Sequence, residues 1–255
     1  MYQELTGELL WEIEIGRVDI LHEVYVISSY QAAHRGGHLQ QILYIFAFLK
    51  NNPELTLYFD PNLAIINPTS FTGSNAKAFC DQYIGAKEEM PNDAPKSRGG
   101  LVQVTAFFYA SHASDKKIRK SHNGYIIFTN HTLIICYSKR QVTVEASTFL
   151  SEFIALKTCV EHMIGLRFKL IMFGIKMDKK IRVLNDKKSF VDISSKLEST
   201  LKKKHRSIAY HLFRWNVAAS VVRILWIEVI SNIADALTKR LAVARRFKLF
   251  VYWTY

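Results

Sequence analysis

Three acidic residues stand where a carboxylate could take part in chemistry. Glu152 shares a helical stripe with Phe149 and Leu156, at spacings of three and four residues, so it would face apolar packing. Asp186 follows the alternating run IRVLN, and ligand sites of open α/β sheets gather at such strand ends. Asp235 would lie in the first turn of a final helix. A buried ionised carboxylate is costly unless something pairs it.

Each acid also has a purely structural explanation, which is favoured when that acid is considered singly. Glu152 could sit at the edge of its stripe and reach water or a lysine. Asp is a preferred helix N-cap, which would account for Asp186. The helix dipole favours an acid in a first turn, which would account for Asp235.

The order of the three acids indicates more than any one of them. A helix glutamate, a strand-end aspartate and a first-turn aspartate, spread over about eighty residues, could converge at one sheet edge. Such a cluster binds hard divalent cations through oxygen. Two Mg²⁺ ions about 4 Å apart, held by three or four carboxylates, support in-line phosphodiester hydrolysis. That chemistry requires one more acid, on the central strand.

The strand that would carry this fourth acid ends in a tyrosine. The stretch TAFFYASHASDKKIRKSHNGYIIF, residues 105–128, predicts two strands around a polar, basic connection. Tyr109 stands at the end of the first strand, and Asp115 lies six residues further on, in the connection.

The elements that would position these residues form an α/β pattern from residue 101 onward. A long helix is predicted for about 145–173 and a final one for about 232–247, with helices also between the last two strands. The predicted strands are 101–109, 123–129, 132–138, 181–185 and 222–228. Because the antiparallel strands come first, we expect a mixed five-stranded sheet with helices on its faces.

The first hundred residues have a different character. Apolar residues recur at helical spacing over residues 2–52, Pro53 would end the last helix, and LTLYF (55–59) alternates like a short strand. Residues 61–100 are rich in Pro and Gly and predict a linker with one short helix around 76–88. The predicted organisation is a small helical subdomain (1–60), a linker (61–100) and an α/β domain (101–255).

Composition narrows the classes of protein. A hydrophobic content of 49% over 255 residues excludes a disordered chain. The formal charge of +12 favours a polyanionic partner, although a basic protein without one is the alternative. Three cysteines far apart in the sequence argue against a disulfide framework and indicate a reducing intracellular setting. No run predicts a membrane span, and the charged start is unlike a signal peptide.

Basic residues cluster beside the predicted strands. Lys116, Lys117, Arg119 and Lys120 lie on the first connection, and Lys139 and Arg140 follow the third strand. Contacts from these residues to phosphates would position a nucleic acid without reading its sequence. The alternative is a set of solvated loop tips; we favour nucleic-acid binding for these six. For the runs 202–206 and 245–248 both explanations stay open.

Several stretches together resemble copia-type (Ty1-like) retrotransposon Pol polyproteins. Residues 2–60 resemble the helical tail of their reverse transcriptase, and residues 101–255 resemble their ribonuclease H domain, with the linker matching least. The stretches that carry the resemblance are YQELTGELLWEIEIGRVDILHEV, HLQQILYIFAFLK, ASHASDKKIRKSHNGYIIF, YSKRQVTVEASTFLSEFIALK, NDKKSFV, KKHRSIAYHLFR and NIADALTKRL.

The resemblance implies four metal-binding acids. Glu152, Asp186 and Asp235 match three of them, and the first aspartate falls on Tyr109. A phenol with a pKa near 10 removes a negative charge and a bridging ligand. Asp115 is too far along the connection to replace it. We therefore expect a severe loss of activity, equivalent to several kcal/mol of charge stabilisation.

The resemblance implies Mg²⁺ or Mn²⁺ as cofactor, bound more weakly here, and an RNA–DNA hybrid and the rest of the Pol polyprotein as partners. It implies an intracellular location, in a cytoplasmic virus-like particle or the nucleus. The first hypothesis is a degenerate fragment whose ancestral reaction is hydrolysis of RNA in hybrids. The alternatives are a non-catalytic nucleic-acid-binding or structural module, and a relic without function.

Overall fold

The structure, a computed structural model, describes residues 1–55, 57–62, 82–193 and 207–253. Two predictions fall on other residues. The basic run 202–206 lies outside the described residues, as does the predicted helix 76–88 up to residue 81. Residues 82–88 are described and form turns and irregular chain, so a helix there is wrong.

The N-terminal region consists of three α-helices. They are α1 (Tyr2–Glu14), α2 (Leu21–Ser28) and α3 (Gly36–Asn51). Helix α3 ends two residues before Pro53, because the residue preceding a proline is disfavoured in helical conformation. The strand predicted for 55–59 is wrong: residues 55 and 57–59, the described part, are irregular. Within the part of the chain that the structure describes, no strand pairs with this short apolar run.

The centre of the molecule is a five-stranded mixed sheet, as predicted. The strands are β2 (Val104–Ser111), β3 (His122–Thr129), β4 (Thr132–Arg140), β6 (Ile181–Asn185) and β7 (Val222–Trp226). They lie in the order β4–β3–β2–β6–β7, with the first three antiparallel and β6 and β7 parallel to β2. Both faces of β2 and β3 are buried, which explains why these strands contain near-continuous runs of β-branched and aromatic residues.

A second, two-stranded sheet was not predicted. Strand β1 (Arg98–Val102) pairs in parallel with β5 (Ile175–Met177). The single strand predicted for 101–109 is therefore two strands, separated at Gln103, whose side chain donates a hydrogen bond to Asp178 at 2.9 Å. Strand β1 also begins inside the predicted linker.

One face of the large sheet packs against the helices that lie between β4 and β7 in the sequence. Helix α4 (Thr148–Met172) begins at Ser147, whose hydroxyl accepts a hydrogen bond from the amide of Leu150 at 3.3 Å. It buries Leu156, Cys159 and Met163 against this face. Helices α5 (Lys188–Ile193) and α6 (Ser207–Ala218) contribute to the same core through Phe190, Tyr210 and Phe213.

The other face of the sheet packs against the N-terminal helices. Phe107, Ile126 and Phe128 of β2 and β3 share one core with Leu9 of α1 and Val24 of α2. The small helical subdomain therefore lies directly on the sheet. None of the helices in the described residues combines the length and apolar character needed to cross a membrane.

The last predicted helix, 232–247, is wrong as a single element. It is divided into a 3₁₀ helix (Ile233–Leu237) and α7 (Val243–Trp253). The 3₁₀ helix lies against β3 at Gly124, where a Cβ atom would come within 2.6 Å of Thr238 Cγ2 and 2.8 Å of Leu237 Cβ. This close packing holds the 3₁₀ helix on the sheet. The chain must leave the sheet before α7 can begin, and for this reason the two helices are separate elements.

Candidate functional site

The four positions predicted for the carboxylate site lie around the end of β2. The parallel pairing of β2 with β6 extends to Phe107 and Leu184, so Tyr109 and Asp186 each follow two residues later. Tyr109 also pairs with Gly124 of β3, against which the 3₁₀ helix bearing Asp235 packs. Glu152 enters from the first turns of α4.

The three acids also influence the pKa of Tyr109. Burial raises the pKa of its phenol, and the charges of Asp235, Asp186 and Glu152 raise it further, while Lys239 lowers it. The register of β2 with β6 and the packing of the 3₁₀ helix on β3 place Asp186 and Asp235 near Tyr109, and Lys187, which follows Asp186, reaches Glu152. The role of the three acids as metal ligands stays a prediction.

Glu152 is the most deeply buried of the acids, with 0% exposure. Burial raises its pKa to about 7, the charge of Asp186 adds to this, and Lys187 and Lys239 oppose it. The Lys187 ammonium forms an ion pair with Oε1 of Glu152. Oε2 has no hydrogen-bond partner among the described residues. The structural explanation for Glu152, a glutamate that reaches a lysine, therefore accounts for Oε1 but not for Oε2.

Asp186 does not act as the cap that its sequence position favours. The side chain of its neighbour Asn185 instead accepts a hydrogen bond from the Lys187 amide at 2.8 Å, just before α5. Oδ1 of Asp186 is buried without a hydrogen-bond partner among the described residues. Burial raises the pKa of Asp186, and the charge of Asp235 also raises it.

Asp235 is held by two cations. Lys239 Nζ lies 2.7 Å from its Oδ1, and an Arg245 guanidinium nitrogen lies 3.1 Å from its Oδ2. The same Lys239 ammonium lies 3.5 Å from the Tyr109 hydroxyl and 4.8 Å from the centre of its ring, a cation–π distance. Burial alone would lower the pKa of Lys239, but the Asp235 carboxylate outweighs it, so that this pKa is raised.

The residues present do not fit a two-metal centre. Within the described residues, no group of three or more His, Cys, Asp or Glu side chains is arranged to hold a metal ion. Protein cations contact two of the three acids, and a neutral phenol stands at the fourth position. The acidic charge that would attract dications is already matched by Lys187, Lys239 and Arg245.

The predicted nucleic-acid-binding residues gather beside this site. Five of the six line one groove of about 980 Å³, namely Lys116, Lys117, Lys120, Lys139 and Arg140. Arg119 is not among the residues that line the groove; its backbone φ of 55° turns the connection at that point, and its amide donates to the Asp115 carbonyl at 2.7 Å.

Asp115 organises the connection rather than the carboxylate site. Its Oδ1 accepts hydrogen bonds from the amides of Lys117 (3.0 Å) and Ile118 (3.2 Å), and its Oδ2 pairs with Arg140 at 2.8 Å. These contacts tie the basic connection to the end of β4. They are consistent with the prediction that Asp115 cannot replace the missing acid.

Sequence reasoning missed several groups at this site. Lys187 and Lys239 neutralise the acids, and Tyr25 of α2 and Arg240 line the groove. The four-residue spacing of Asp235 and Lys239 is a signal that could have indicated the second ion pair. No local pattern indicates that α2 faces the basic connection.

The comparisons with known proteins confirm the resemblance to copia-type retrotransposon Pol polyproteins. The chain is 26% identical over 238 residues, 93% of its length, to the Retrovirus-related Pol polyprotein from transposon TNT 1-94 of Nicotiana tabacum. It is 26% identical over 145 residues to the Pol polyprotein from transposon RE1 of Arabidopsis thaliana, 57% of the chain. The chain spans only 15% and 10% of the lengths of these relatives. No family model matches the sequence.

The neighbours among solved structures are ribonuclease H domains. LC11-RNase H1 in complex with an RNA/DNA hybrid matches 53% of this chain and 94% of its own, with 13% identity and a TM-score of 0.42. The N-terminal ribonuclease H domain of Rv2228c from Mycobacterium tuberculosis matches 54% of this chain and 91% of its own, with 15% identity and a TM-score of 0.40. At identities of 15% and 13%, the similarity concerns the fold and not individual residues.

Proposed function

We propose that this chain is a degenerate fragment of a copia-type Pol protein whose ribonuclease H-like part is impaired in cleavage and retains nucleic-acid binding. An active relative would hydrolyse RNA in RNA–DNA hybrids, with Mg²⁺ or Mn²⁺ held by four acids. In this chain Glu152, Asp186 and Asp235 are the surviving acids, and Tyr109 takes the place of the first.

The observation that carries the proposal is the position of the Lys239 ammonium. It contacts Asp235 at 2.7 Å and Tyr109 at 3.5 Å, at the point where the acids converge. A lysine between an acid and a phenol satisfies the local charge without a dication. The site would then contribute to stability rather than to hydrolysis.

The second candidate is a module that never cleaves and serves binding or assembly within a Pol protein. The basic groove favours binding, since five predicted phosphate contacts line one concavity. A relic without function would have no need to retain this arrangement. The RNA–DNA hybrid and the remainder of the polyprotein are the proposed partners.

The test is cleavage of a labelled RNA–DNA hybrid with Mg²⁺ or Mn²⁺ by the wild-type protein, Tyr109→Asp and Tyr109→Phe. We expect no cleavage by the wild type or Tyr109→Phe, and cleavage by Tyr109→Asp that is abolished when Asp235→Asn is added. Equal cleavage by the wild type and Tyr109→Asp would show that Tyr109 is not the defect. Failure of folded, hybrid-binding Tyr109→Asp to cleave would count against the assignment of the acids.

A further inference from the structure

The geometry points to a single-stranded nucleic-acid segment as the ligand of the groove between α2 and the β2–β3 connection. This inference rests on the proposed function. It adds the form of the nucleic acid and gives the N-terminal helices a part in holding it.

The groove is strongly cationic. Besides the five lysine and arginine residues of the connection and β4, Lys239 and Arg240 line it. The carboxylate in its described lining is Asp115, which is already paired with Arg140 at 2.8 Å. Such an excess of positive charge attracts a phosphodiester backbone, because binding releases the counterions of the polyanion.

The groove is lined by residues from distant parts of the sequence. Tyr25 and Ser29 of the α2 region line it together with Ser114, Lys117 and Lys120 of the connection. His122 and Thr238 line it as well. The N-terminal helices therefore take part in forming the groove.

An aromatic ring is available within the groove. Tyr25 is 40% exposed and lines the groove, whereas Tyr30 is stacked on His38 with ring centres 4.2 Å apart. A cationic groove that carries an exposed aromatic ring is the combination by which proteins bind single strands, since unpaired bases stack on the ring. Paired bases in a duplex do not offer their faces to such a ring.

The groove is adjacent to the carboxylate site through one residue. Lys239 lines the groove and contacts both Asp235 and Tyr109. A strand bound in the groove would therefore lie next to the proposed site.

The experiment is a fluorescence polarisation titration of the whole chain with labelled single-stranded DNA and RNA of about 12 nucleotides. An RNA–DNA hybrid of the same length and poly-glutamate serve as competitors. The variants are Tyr25→Ala, Tyr25→Phe and Arg240→Ala. Matched controls are Tyr58→Ala and Arg223→Ala, two exposed residues that do not line the groove.

We expect Tyr25→Ala to weaken single-strand binding about tenfold and Tyr25→Phe to preserve it. Arg240→Ala should reduce the slope of log K against log salt by about one, while both controls behave as the wild type. Circular dichroism and urea unfolding identify any variant that has lost its fold. Arg240→Ala and the competition with the RNA–DNA hybrid then still decide the matter.

Other results would overturn the inference. Equal affinity for the hybrid or poly-glutamate would remove the preference for a single strand. Wild-type affinity in both Tyr25→Ala and Arg240→Ala would place the nucleic acid elsewhere and leave the proposed function standing. Absence of nucleic-acid binding by the wild type would overturn both proposals.

Discussion

The ammonium group of Lys239 lies 4.8 Å from the ring centre of Tyr109 and 3.5 Å from its hydroxyl. The same ammonium pairs with Asp235, which is only 2% exposed at its side chain. One lysine thus links Tyr109 to an acid of the candidate site. The arrangement accounts for the buried Asp235 carboxylate without a metal ion. The site can therefore be tested by the free energy of unfolding as well as by activity.

The first prediction concerns Lys239→Ala. The change leaves Asp235 with Arg245 as its cationic partner and removes the cation–π contact with Tyr109. The free energy of unfolding should fall by about 1–2 kcal/mol, since the lysine side chain is 42% exposed and its contribution is screened. Urea denaturation measures this, with Lys176→Ala, an exposed lysine of β5, as control. Equal losses in both variants would contradict the role given to Lys239.

The second prediction concerns Gly124→Ala. A Cβ atom would approach Thr238 Cγ2 to 2.6 Å and Leu237 Cβ to 2.8 Å, so the 3₁₀ helix must move off β3. The free energy of unfolding should fall by about 2–3 kcal/mol, as for overpacked cores.

The matched control is Gly165→Ala in α4, where a Cβ atom would meet nothing within 4 Å. That change should be neutral or stabilise the protein by up to about 1 kcal/mol, because alanine favours the helix. Thermal or urea unfolding of both variants provides the comparison. A Gly124→Ala variant as stable as the wild type would show that the 3₁₀ helix is not tightly packed against β3.

The third prediction concerns acid stability. His22 of α2 and His122 of β3 are buried with ring centres 4.9 Å apart, where the helices meet the sheet. Burial lowers the pKa of His22 to about 3 and that of His122 to about 4; the charge of His122 also lowers the first, and that of Arg140 the second. Because the unfolded chain binds these protons near pH 6.5, it gains protons before the folded protein does.

The stability contributed by these two histidines should therefore be fully present above about pH 6.5 and be lost as the pH drops toward 4, by about 2–3 kcal/mol for each. The raised pKa of Glu152 acts in the opposite direction over this range, so the histidine contribution is the difference between the profiles of the wild type and His22→Gln. Urea unfolding at several pH values measures the loss. His22→Gln should reduce the pH dependence, and His34→Gln, an exposed histidine, should not. An unchanged profile in His22→Gln would contradict the prediction.

The fourth prediction concerns Asp115→Asn. The amide oxygen of asparagine can still accept the bonds from Lys117 and Ile118, but the ion pair with Arg140 is lost. Stability should change by less than about 1 kcal/mol, because the pair is partly exposed. Affinity for nucleic acid should rise by about two- to fivefold, since a negative charge leaves a cationic groove.

Polarisation titrations at several salt concentrations measure this gain. Glu8→Gln, which removes an exposed negative charge on α1 away from the groove, should leave the affinity close to that of the wild type. Weaker binding in Asp115→Asn would mean that Asp115 shapes the groove more than it repels the ligand.

Much of the fold could be predicted because it depends on local patterns. The apolar run of β3, the alternation in β6 and the helical spacing of α4 are present in short windows of sequence. The interruption of the final predicted helix could not be predicted. It follows from the packing of the 3₁₀ helix against Gly124, and Gly124 and Thr238 are more than a hundred residues apart in the sequence. The pairing of β1 with β5 is likewise non-local.

The candidate site divides in the same way. The three acids and Tyr109 were located by residue type and by the resemblance, and the structure places them around the end of β2. The ion pair of Lys187 with Glu152 and the placement of Tyr25 in the groove depend on how elements pack. Exposure of a lysine or tyrosine cannot be inferred from the residues beside it.

By itself, the sequence determined the mixed sheet, the long helix, the excess of positive charge and the absence of an acid at position 109, because each is written in residue type and spacing. Tertiary structure alone decided that Lys239 lies between Tyr109 and Asp235, and that α2 closes one side of the basic groove. The physical reason is that side-chain contacts between remote elements follow from burial and close packing of the whole chain, which no short window contains.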